Sequence, residues 1–599
     1  ATGSSGVSAS PAVMQDLTRP LNPRPMQTSQ GELLLESSGL RVCGRRVSAR
    51  GAALLGVALA ALCGSLWLAA GHGALPAGPP AAGTSKPDVT APGKDGVCSD
   101  RETCLSIVDA FLERQPRQSF MGGKGVGLMQ TFGPDSFDGG PCGDKMCKLV
   151  EPCPNYEQTP HCRFDVYDNA LAAIYLTRRG RLEEARSVLK SFLYFLYDDK
   201  GALKLLAASY TDAPAKAGDY QGVGVADGAV DTGNNAWVGL AFTHFAAETG
   251  EACYARVGRD ILEALRHDVS CADDEMGGFA ARGPPYPHNY RSTEHNIDVF
   301  SLSRALNSSA DAESAATFVR SMWGHSKQAP DTYVTGTGDA AHCDATIPLA
   351  AAAADVQFWS LLADADPSAA RKNASVTFAL RNPGSARYKG GEGQIDGLWQ
   401  IDEDLIGSPG GEGKGQELYG FRFTSWGNGI QWENTASAVM GLVHYQQKYQ
   451  RDAPVAGLDE AISRARVSIR QLLQAYQAVP ASVLGGNINA YIKNDHAADY
   501  PGGSDTGIGW TYLRYPHVAA STWAGLLLLY QHDDGAPVDD AANPFAPPRK
   551  PVPSKDKSDA DDSCLPSGGG SGSKGGGGGP PPPSGGGGGG GGGGPPPAD

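Results

Sequence analysis

Six segments of this chain share one pattern, in which a polar or acidic cluster is followed directly by a long apolar run with helical spacing. The acidic markers of the first three segments, Asp168, Asp231 and Glu294, lie 63 residues apart in both intervals, 168 to 231 and 231 to 294. Regular spacing of this kind is typical of repeated structural units. The six segments are 164–176, 230–250, 292–306, 342–363, 430–449 and 515–530.

A second type of helix follows most of these segments after a short polar turn. In the stretches 181–199, 251–269, 311–325 and 458–477, apolar residues recur at three and four positions, which predicts one face on a core and one in water. The first helix of each pair is apolar nearly all round and should be buried. The pattern predicts an all-α (α/α)6 toroid of six hairpins, although no segment after the sixth apolar run supplies its outer helix.

An open helical solenoid is the alternative to this closed ring, but its repeats usually span about 34 to 47 residues, shorter than the units here. The extra length lies in segments rich in Gly, Pro and aromatic residues before the apolar helices, such as 277–291 and 388–407. Long loops gathered at one end of a closed scaffold commonly build a binding site. We therefore expect a cleft where the inner helices begin.

The termini are expected to lie outside this body. Residues 52–71 form a run of 20 residues without a charge, preceded by several arginines, which predicts a transmembrane signal anchor with a cytoplasmic N-terminus and a lumenal body. A cleaved signal peptide or an organelle leader is the alternative. The predicted divisions are a disordered N-terminus (1–51), the anchor (52–71), a linker (72–97), a disulfide-stapled segment (98–163), the toroid (164–545) and a disordered Pro/Gly-rich tail (546–599).

The cysteines indicate an oxidising compartment. Six of the 12 lie within residues 98–162, and no paired CxxC motif accompanies them, so disulfides are favoured over zinc. Cys253 and Cys271 are candidates for a further bridge. Asn307 and Asn373 begin acceptor sequons that we expect in exposed turns. The six clustered residues are Cys98, Cys104, Cys142, Cys147, Cys153 and Cys162.

The motifs VYDNALA, DTGNNAW, STEHNID, DVQFW, QWENTA and HVAASTWAG, followed by NPF, occur in this order between residues 164 and 545. In this respect the chain resembles the six-hairpin glycosidase superfamily, without matching one defined family within it. The resemblance implies an (α/α)6 barrel whose carbohydrate cleft lies where the inner helices begin. The superfamily also contains polysaccharide lyases, phosphorylases and epimerase relatives, so the fold does not decide the chemistry.

Hydrolysis of a glycosidic bond requires one carboxylic acid and one carboxylate, and candidates should lie at the starts of inner helices. Glu294 is the predicted general acid, since Asp298 lies one turn further along the same helix face and its charge could raise the pKa of Glu294. Glu433 and Asp231 are the candidates for base or nucleophile. For all three, the alternative is a favourable charge or cap at a helix start.

Further polar and aromatic residues near the helix starts are candidates for binding sugar hydroxyls or stacking on pyranose rings. Several of these side chains could instead fill the inner-helix core or hold loops. The predicted binding residues are Asp168, Tyr167, Asn234, Asn235, Trp237, His295, Asn296, Asp298, Trp426, Trp432 and His517.

The sequence therefore predicts a glycoside hydrolase, inverting by resemblance, with a glycan substrate and no cofactor or metal, on a type II membrane anchor in the Golgi or at the cell surface. The net charge of −15 disfavours nucleic acid as a partner. One alternative is a polysaccharide lyase, with Arg291 and Arg514 as contributors to a basic subsite. The other is a non-catalytic carbohydrate-binding or cell-wall-organising protein, to which the Gly/Pro-rich tail gives support.

Overall fold

The structure, a computed structural model, divides the chain into two compact units, 1–87 and 88–599. In the first unit the described residues form one antiparallel pair of strands, β1 (Arg41–Val42) and β2 (Arg45–Arg46). The described residues are 41–42, 45–46, 97–122, 127–133, 163–272, 274–326, 329–348, 350–381, 384–385, 397–404, 416–427, 429–483, 503–508, 511–513, 515–531, 536–555, 561 and 563–565.

The described part of the second unit is mainly α-helical. Its α-helices are α1 (Arg101–Arg114), α2 (Val166–Arg178), α3 (Leu182–Leu196), α4 (Thr232–Thr249), α5 (Ala252–Val269), α6 (Thr293–Ala305), α7 (Ser309–Ser321), α8 (Ala354–Ala363), α9 (Ala369–Ala379), α10 (Trp432–Lys448), α11 (Leu458–Tyr476) and α12 (Val518–Tyr530).

The even-numbered helices form a closed inner ring. Each packs against the next in chain order, and α12 packs against α2, which closes the ring. Every residue of α12 is buried, as expected for a helix that is apolar on all sides. By contrast, α11 buries one face and exposes the other, so it belongs to an outer layer. The predicted (α/α)6 toroid is therefore present in the described residues.

The sixth outer helix, for which the sequence offered no candidate after α12, comes from the start of the domain. Helix α1 packs against both α11 and α12, in the position that the ring leaves open. The Tyr175 hydroxyl donates to Asp109 of α1 at 2.8 Å, and the Arg179 guanidinium bonds the same carboxylate at 3.1 Å. The first and last parts of the toroid are thus joined by a helix that precedes all six inner ones.

Short strands precede most of the inner helices. All of their pairings are antiparallel except that of β8 with β9. Because these strands lead into helix starts, they belong to the end of the ring where the cleft was predicted. They are β3 (Phe164–Asp165), β4 (Ser209–Tyr210), β5 (Val225–Asp227), β6 (Val230–Asp231), β7 (Arg282–Gly283), β8 (Gly384–Ser385), β9 (Trp399–Asp404), β10 (Gln416–Phe421), β11 (Gly503–Asp505) and β12 (Thr511–Leu513).

An aromatic cluster fills the interior of the ring. Trp237, Trp359 and Trp523 come from three inner helices, and their ring centroids lie 5.6 to 5.9 Å apart. Phe545, from the NPF motif, packs against all three. The amide of Asn543 donates to the carbonyl of Leu362, in the last turn of α8, at 2.8 Å. The NPF segment therefore covers the ring at the end where the inner helices finish.

The structure describes part of the segment that the sequence analysis assigned to a disordered tail. Residues 546–555 continue from the NPF segment, and Arg259 on α5 donates to the carbonyl of Pro553 at 3.1 Å. A disulfide then joins Cys564 to Cys253 at the start of α5. This covalent tie and the contacts before it keep the segment on the domain despite its polar composition. Residues 566–599 lie outside the described residues.

The disulfides differ from the predicted bridge between Cys253 and Cys271. Cys271 pairs with Cys343, while a third bridge joins Cys98 to Cys104. Pairing follows spatial proximity across loops, which spacing along the chain does not reveal. The remaining cysteines of the predicted stapled segment, Cys142, Cys147, Cys153 and Cys162, lie outside the described residues.

The fourth inner helix is shorter than the sequence predicted. In the segment 342–363 the sequence predicted a helical apolar run directly after the polar cluster at its start, but α8 begins only at Ala354. The alanines before it are extended, because Ala353 pairs with Thr424 and the Ala352 amide donates to the Ser425 hydroxyl at 3.1 Å. Tertiary pairing here overrides the high helix propensity of alanine.

Within the described residues, no helix is both long enough and apolar enough to cross a bilayer. The predicted anchor, 52–71, lies outside those residues, as does the predicted linker up to residue 96.

Candidate active site

The starts of the inner helices are fixed by a repeated hydrogen-bonding arrangement. In α4, the Asn235 amide bonds both the N–H and the C=O of Leu206 and also the carbonyl of Asp231. Asn296 of α6 does the same with Phe279 and Ser292. The equivalent side chains in the other inner helices are Asn169, Gln357, Thr435 and Ser521.

These side chains pin the incoming loop of each repeat to the second turn of its inner helix. The predicted sugar-binding amides of Asn235 and Asn296 are therefore occupied by backbone groups. Their role in the structure is to hold the loops that shape the cleft, since a buried backbone group without a partner would be costly.

A cavity of about 490 Å³ opens where α6, α8 and α10 begin. Three carboxylates face it, Glu294, Asp355 and Glu433, and each is the second residue of its helix. Asp339 contributes a fourth carboxylate from a loop at the rim. The aromatic residues that line the cavity are Tyr290, Trp359, Phe423 and Tyr512.

Glu294, the predicted general acid, lies in this cavity. Burial raises its pKa well above the usual range, and the charges of Asp355, Asp298, Glu433 and Asp231 add to the effect. The contribution of Asp298 has the direction expected of a like charge one turn away on the same helix. The capping role that was the alternative for Glu294 belongs to Ser292, whose hydroxyl accepts from the amide of His295 at 3.3 Å.

Asp355 is a functional candidate that the sequence interpretation missed. Burial and the charge of Glu433 raise its pKa to about 7, although the amide of Val356 opposes this shift. The sequence analysis took the polar cluster that begins at residue 342 as the entry to the fourth inner helix, and Asp355 was not among its candidates. Aligning the inner helices on their first residues would have revealed it, because it occupies the same position as Glu294 and Glu433.

Glu433 is buried beside a histidine and carboxylate pair. Nε2 of His517 lies 3.0 Å from Oδ1 of Asp168, and Nδ1 of the same ring lies 4.0 Å from Oε2 of Glu433. Burial, with a contribution from the charge of Asp168, raises the pKa of Glu433 above its usual value, and His517 offsets only part of this rise. Burial also lowers the pKa of His517, but the charges of Asp168 and Glu433 outweigh this and raise it overall.

The surroundings of His517 fix its ring in place. The ring stacks on Phe132 with centroids 4.8 Å apart. Oδ1 of Asp168 also accepts the backbone amide of Ala519, in the first turn of α12, at 3.0 Å. Burial raises the pKa of Asp168, while His517 lowers it. His517 and Asp168 therefore form a buried support behind Glu433 instead of lining the cavity themselves.

Asp231 occupies a different position from the other candidate catalytic residues. It is the N-cap residue of α4, and its Oδ1 accepts from Nε of Arg282 at 2.7 Å. The Asn234 amide donates to its other oxygen at 3.4 Å. Asp231 is not among the residues that line the cavity, although its charge contributes to the raised pKa of Glu294. The three acidic residues that recur every 63 positions, Asp168, Asp231 and Glu294, therefore occupy different positions at the starts of their helices.

The remaining predicted residues divide between packing and support. Trp237 and Trp432 are fully buried, and Trp426 is half-buried but does not line the cavity. The hydroxyl of Tyr167 accepts from the Trp523 indole at 2.9 Å. The Tyr167 ring packs against Trp359, which lines the cavity. The aromatic residues that do line the cavity, Tyr290, Trp359, Phe423 and Tyr512, were not among the predicted binding residues.

His295 and Asp298 lie against α4. Nδ1 of His295 is 3.0 Å from the carbonyl oxygen of Ala281, and burial lowers the pKa of this imidazole. Asp298 is buried beneath Glu294, and burial together with Asp355 raises its pKa well above the usual range. Gly233 permits this packing, since a Cβ there would lie 2.5 Å from the His295 ring.

Comparison with known proteins gives remote similarities only. No protein-family model and no curated protein matches the chain. A solved family 76 glycoside hydrolase from a bovine Bacteroides thetaiotaomicron strain is similar at 9% identity and a TM-score of 0.42, over 72% of this chain and 78% of that one. A D-mannose isomerase has 9% identity and a TM-score of 0.42, over 73% and 98%.

A family 76 glycoside hydrolase (mannosidase) from Bacteroides thetaiotaomicron VPI-5482 has 12% identity and a TM-score of 0.39, over 72% of this chain and 97% of that one. Similarities at this level do not decide an activity.

Proposed function

We propose that the protein is a glycoside hydrolase in which Glu294 is the general acid and Glu433 the general base. The observation that carries this proposal is the convergence of two carboxyl groups in one cavity, one surrounded by negative charge and the other supported by a histidine. Two carboxyl groups in unlike environments are what glycosidic bond hydrolysis requires.

The proton donor must be protonated near neutral pH and must reach the leaving oxygen. Burial and four neighbouring carboxylates favour the protonated form of Glu294. Asp355, with a pKa of about 7, is the first of these neighbours, and the fraction of it that is ionised near neutral pH favours the neutral form of Glu294. We assign Asp355 this supporting electrostatic role, in contact with the same cavity.

The base must be ionised when the acid is protonated. A protonated His517 at 4.0 Å from Glu433 stabilises the carboxylate, and Asp168 at 3.0 Å keeps His517 protonated. The ionised Glu433 can then activate a water molecule for attack on the anomeric carbon. Inversion of configuration follows if the water attacks from the face opposite the leaving oxygen, as the sequence resemblance implies.

The cavity favours an uncharged sugar. Its volume of about 490 Å³ falls within the range of small-ligand sites, and its aromatic lining suits pyranose rings. Among the described residues that line it there is no lysine or arginine to pair with a uronate carboxylate. Arg291, the candidate for a basic subsite in the lyase alternative, is fully buried and bonds Asp274 and three backbone carbonyls. Arg514 lies outside the described residues.

The test is release of reducing sugar from a panel of neutral and uronic polysaccharides by the full chain and by Glu294→Gln and Glu433→Gln. We expect each substitution to reduce kcat at least about 100-fold while binding persists, because acid or base catalysis contributes roughly 10²–10⁴-fold. Glu313→Gln, on the exposed face of α7, is the matched control and should leave kcat unchanged.

Three outcomes would count against the proposal. Full activity in both cavity variants would move the chemistry elsewhere. Unsaturated products from uronic polysaccharides would favour the lyase. Binding of glycans by the unmodified protein without release of any sugar would favour the non-catalytic alternative.

A further inference from the structure

The two glycosylation sequons, Asn307-Ser308-Ser309 and Asn373-Ala374-Ser375, lie in very different surroundings, although the sequence predicted an exposed turn for both. Asn307 does lie in an exposed turn, between α6 and α7. Asn373 lies inside α9, where the prediction of a turn is wrong. The structure therefore separates two sites that are equivalent in sequence.

Asn307 is open to a large attached group. Its side chain lines a surface cavity of about 340 Å³, together with Phe300, Arg304 and Glu313. The Arg304 guanidinium covers the Phe300 ring at 5.2 Å from its centroid. A sugar attached to Asn307 would lie against this polar and aromatic groove without displacing any packed element.

Asn373 is committed to tertiary contacts. Its side-chain nitrogen donates to the Tyr445 hydroxyl at 2.8 Å and to the carbonyl of Ala453 at 3.0 Å, joining α9 to α10 and the turn after it. Ser375, the hydroxyl residue of this sequon, is buried and donates to Gln357 at 2.8 Å. A sugar on Asn373 would separate these elements and leave buried polar groups without partners, which is costly.

The disulfides Cys98–Cys104, Cys253–Cys564 and Cys271–Cys343 are typical of a chain that folds in an oxidising compartment. We propose that the mature protein carries an N-linked glycan on Asn307 and none on Asn373.

In the transfer, the Asn307 side-chain nitrogen bonds the anomeric carbon of a lipid-diphosphate-linked oligosaccharide. The bond from that carbon to the diphosphate oxygen breaks, and the lipid diphosphate leaves while the amide loses one proton.

The glycan would not obstruct the cavity. Asn307 lies just beyond the last turn of α6, whereas Glu294 lies in the first. At 1.5 Å per residue, the two ends of this inner helix are separated by about 20 Å along its axis. Modification at Asn307 is therefore compatible with substrate binding at the opposite end.

The test uses the full chain secreted from a eukaryotic cell. Enzymatic release of N-glycans in ¹⁸O-water converts each occupied asparagine to labelled aspartate, which peptide mass spectrometry locates. We expect label at residue 307 only, and Asn307→Gln should abolish the mass shift of the folded protein. Asn373→Gln should leave the glycan in place but lower the melting temperature, because it removes the contacts of α9.

Two results would overturn the proposal. One is an unlabelled Asn307 in protein whose disulfides are formed and which was secreted. The other is label at residue 373 in the folded, monodisperse fraction, which would mean that the contacts of Asn373 do not exclude a sugar. Neither result depends on the enzymatic activity proposed above.

Discussion

Substitution of His517 by glutamine tests the electrostatic support of the proposed base. The histidine Nδ1 lies 4.0 Å from Oε2 of Glu433. Two full charges at 4 Å interact by about 4 kcal/mol at an effective dielectric constant near 20, which is an upper bound because His517 is partly neutralised by Asp168. Since about 1.4 kcal/mol corresponds to one pKa unit, a third of this interaction is enough to shift the pKa of Glu433 by one unit.

The direction follows from the charge. Glu433 acts when it is ionised, and loss of a nearby cation raises its pKa. The acid limb of the profile of kcat/KM against pH should therefore move to higher pH by about one unit or more, with roughly tenfold loss of activity on that limb and little change on the plateau.

The assay is kcat/KM measured between pH 3 and pH 9 with the neutral glycan that the panel identifies. His444→Gln is the matched control. His444 is also buried, and its Nδ1 lies 2.9 Å from the Tyr530 hydroxyl. It is about 16 Å from Glu433 along the axis of α10, too far to affect the ionisation of Glu433 in the same way. Circular dichroism and thermal melting should show that each variant is folded. A uniform loss of kcat with an unmoved acid limb would refute the electrostatic argument and leave His517 a packing role.

Three further predictions concern stability. Asp355→Asn should raise the melting temperature at pH 8 but not at pH 4. The folded pKa of Asp355 is raised to about 7, so this carboxyl favours folding below its unfolded pKa and loses that contribution as the pH rises through 7. The substitution should increase the free energy of unfolding at pH 8 by at most about 4 kcal/mol. An equal effect at both pH values would contradict this. Phe545→Ala should lower the free energy of unfolding in urea by about 3–5 kcal/mol, and a loss below 1 kcal/mol would mean that the ring is not packed as described. Cys564→Ser should lower the free energy of unfolding by about 2–5 kcal/mol, more than Cys104→Ser, because the chain between Cys253 and Cys564 is much longer than that between Cys98 and Cys104. Equal losses in the two variants would argue against a chain-entropy effect.

Much of the fold could be predicted because helix periodicity is a local property of the chain. The predicted inner segments match the six inner helices to within three residues at every end except the start of α8, as with 430–449 for Trp432–Lys448. The exceptions have tertiary causes. Helix α8 begins late because Ala352 and Ala353 pair with residues 424 and 425. The sixth outer helix is α1, which closure of the ring brings beside α12.

The candidate site was only partly predictable. Carboxylates at helix starts mark Glu294 and Glu433 in the sequence, and both face the cavity. Asp231 satisfies the same rule but is an N-cap bonded to Arg282, while Asp355 was hidden by the misplaced helix start. A shift of two positions along a helix turns a side chain by about 200°, so helix register decides which carboxylates can converge.

The sequence by itself determined the alternation of buried and covering helices and the acidic helix starts, because both depend on residue types at short spacing. Only the tertiary structure decided which carboxylates share a cavity, that His517 and Asp168 stand behind Glu433, which cysteines pair and which sequon is accessible. These depend on distances between residues far apart in the chain, and closure of the helical ring sets those distances.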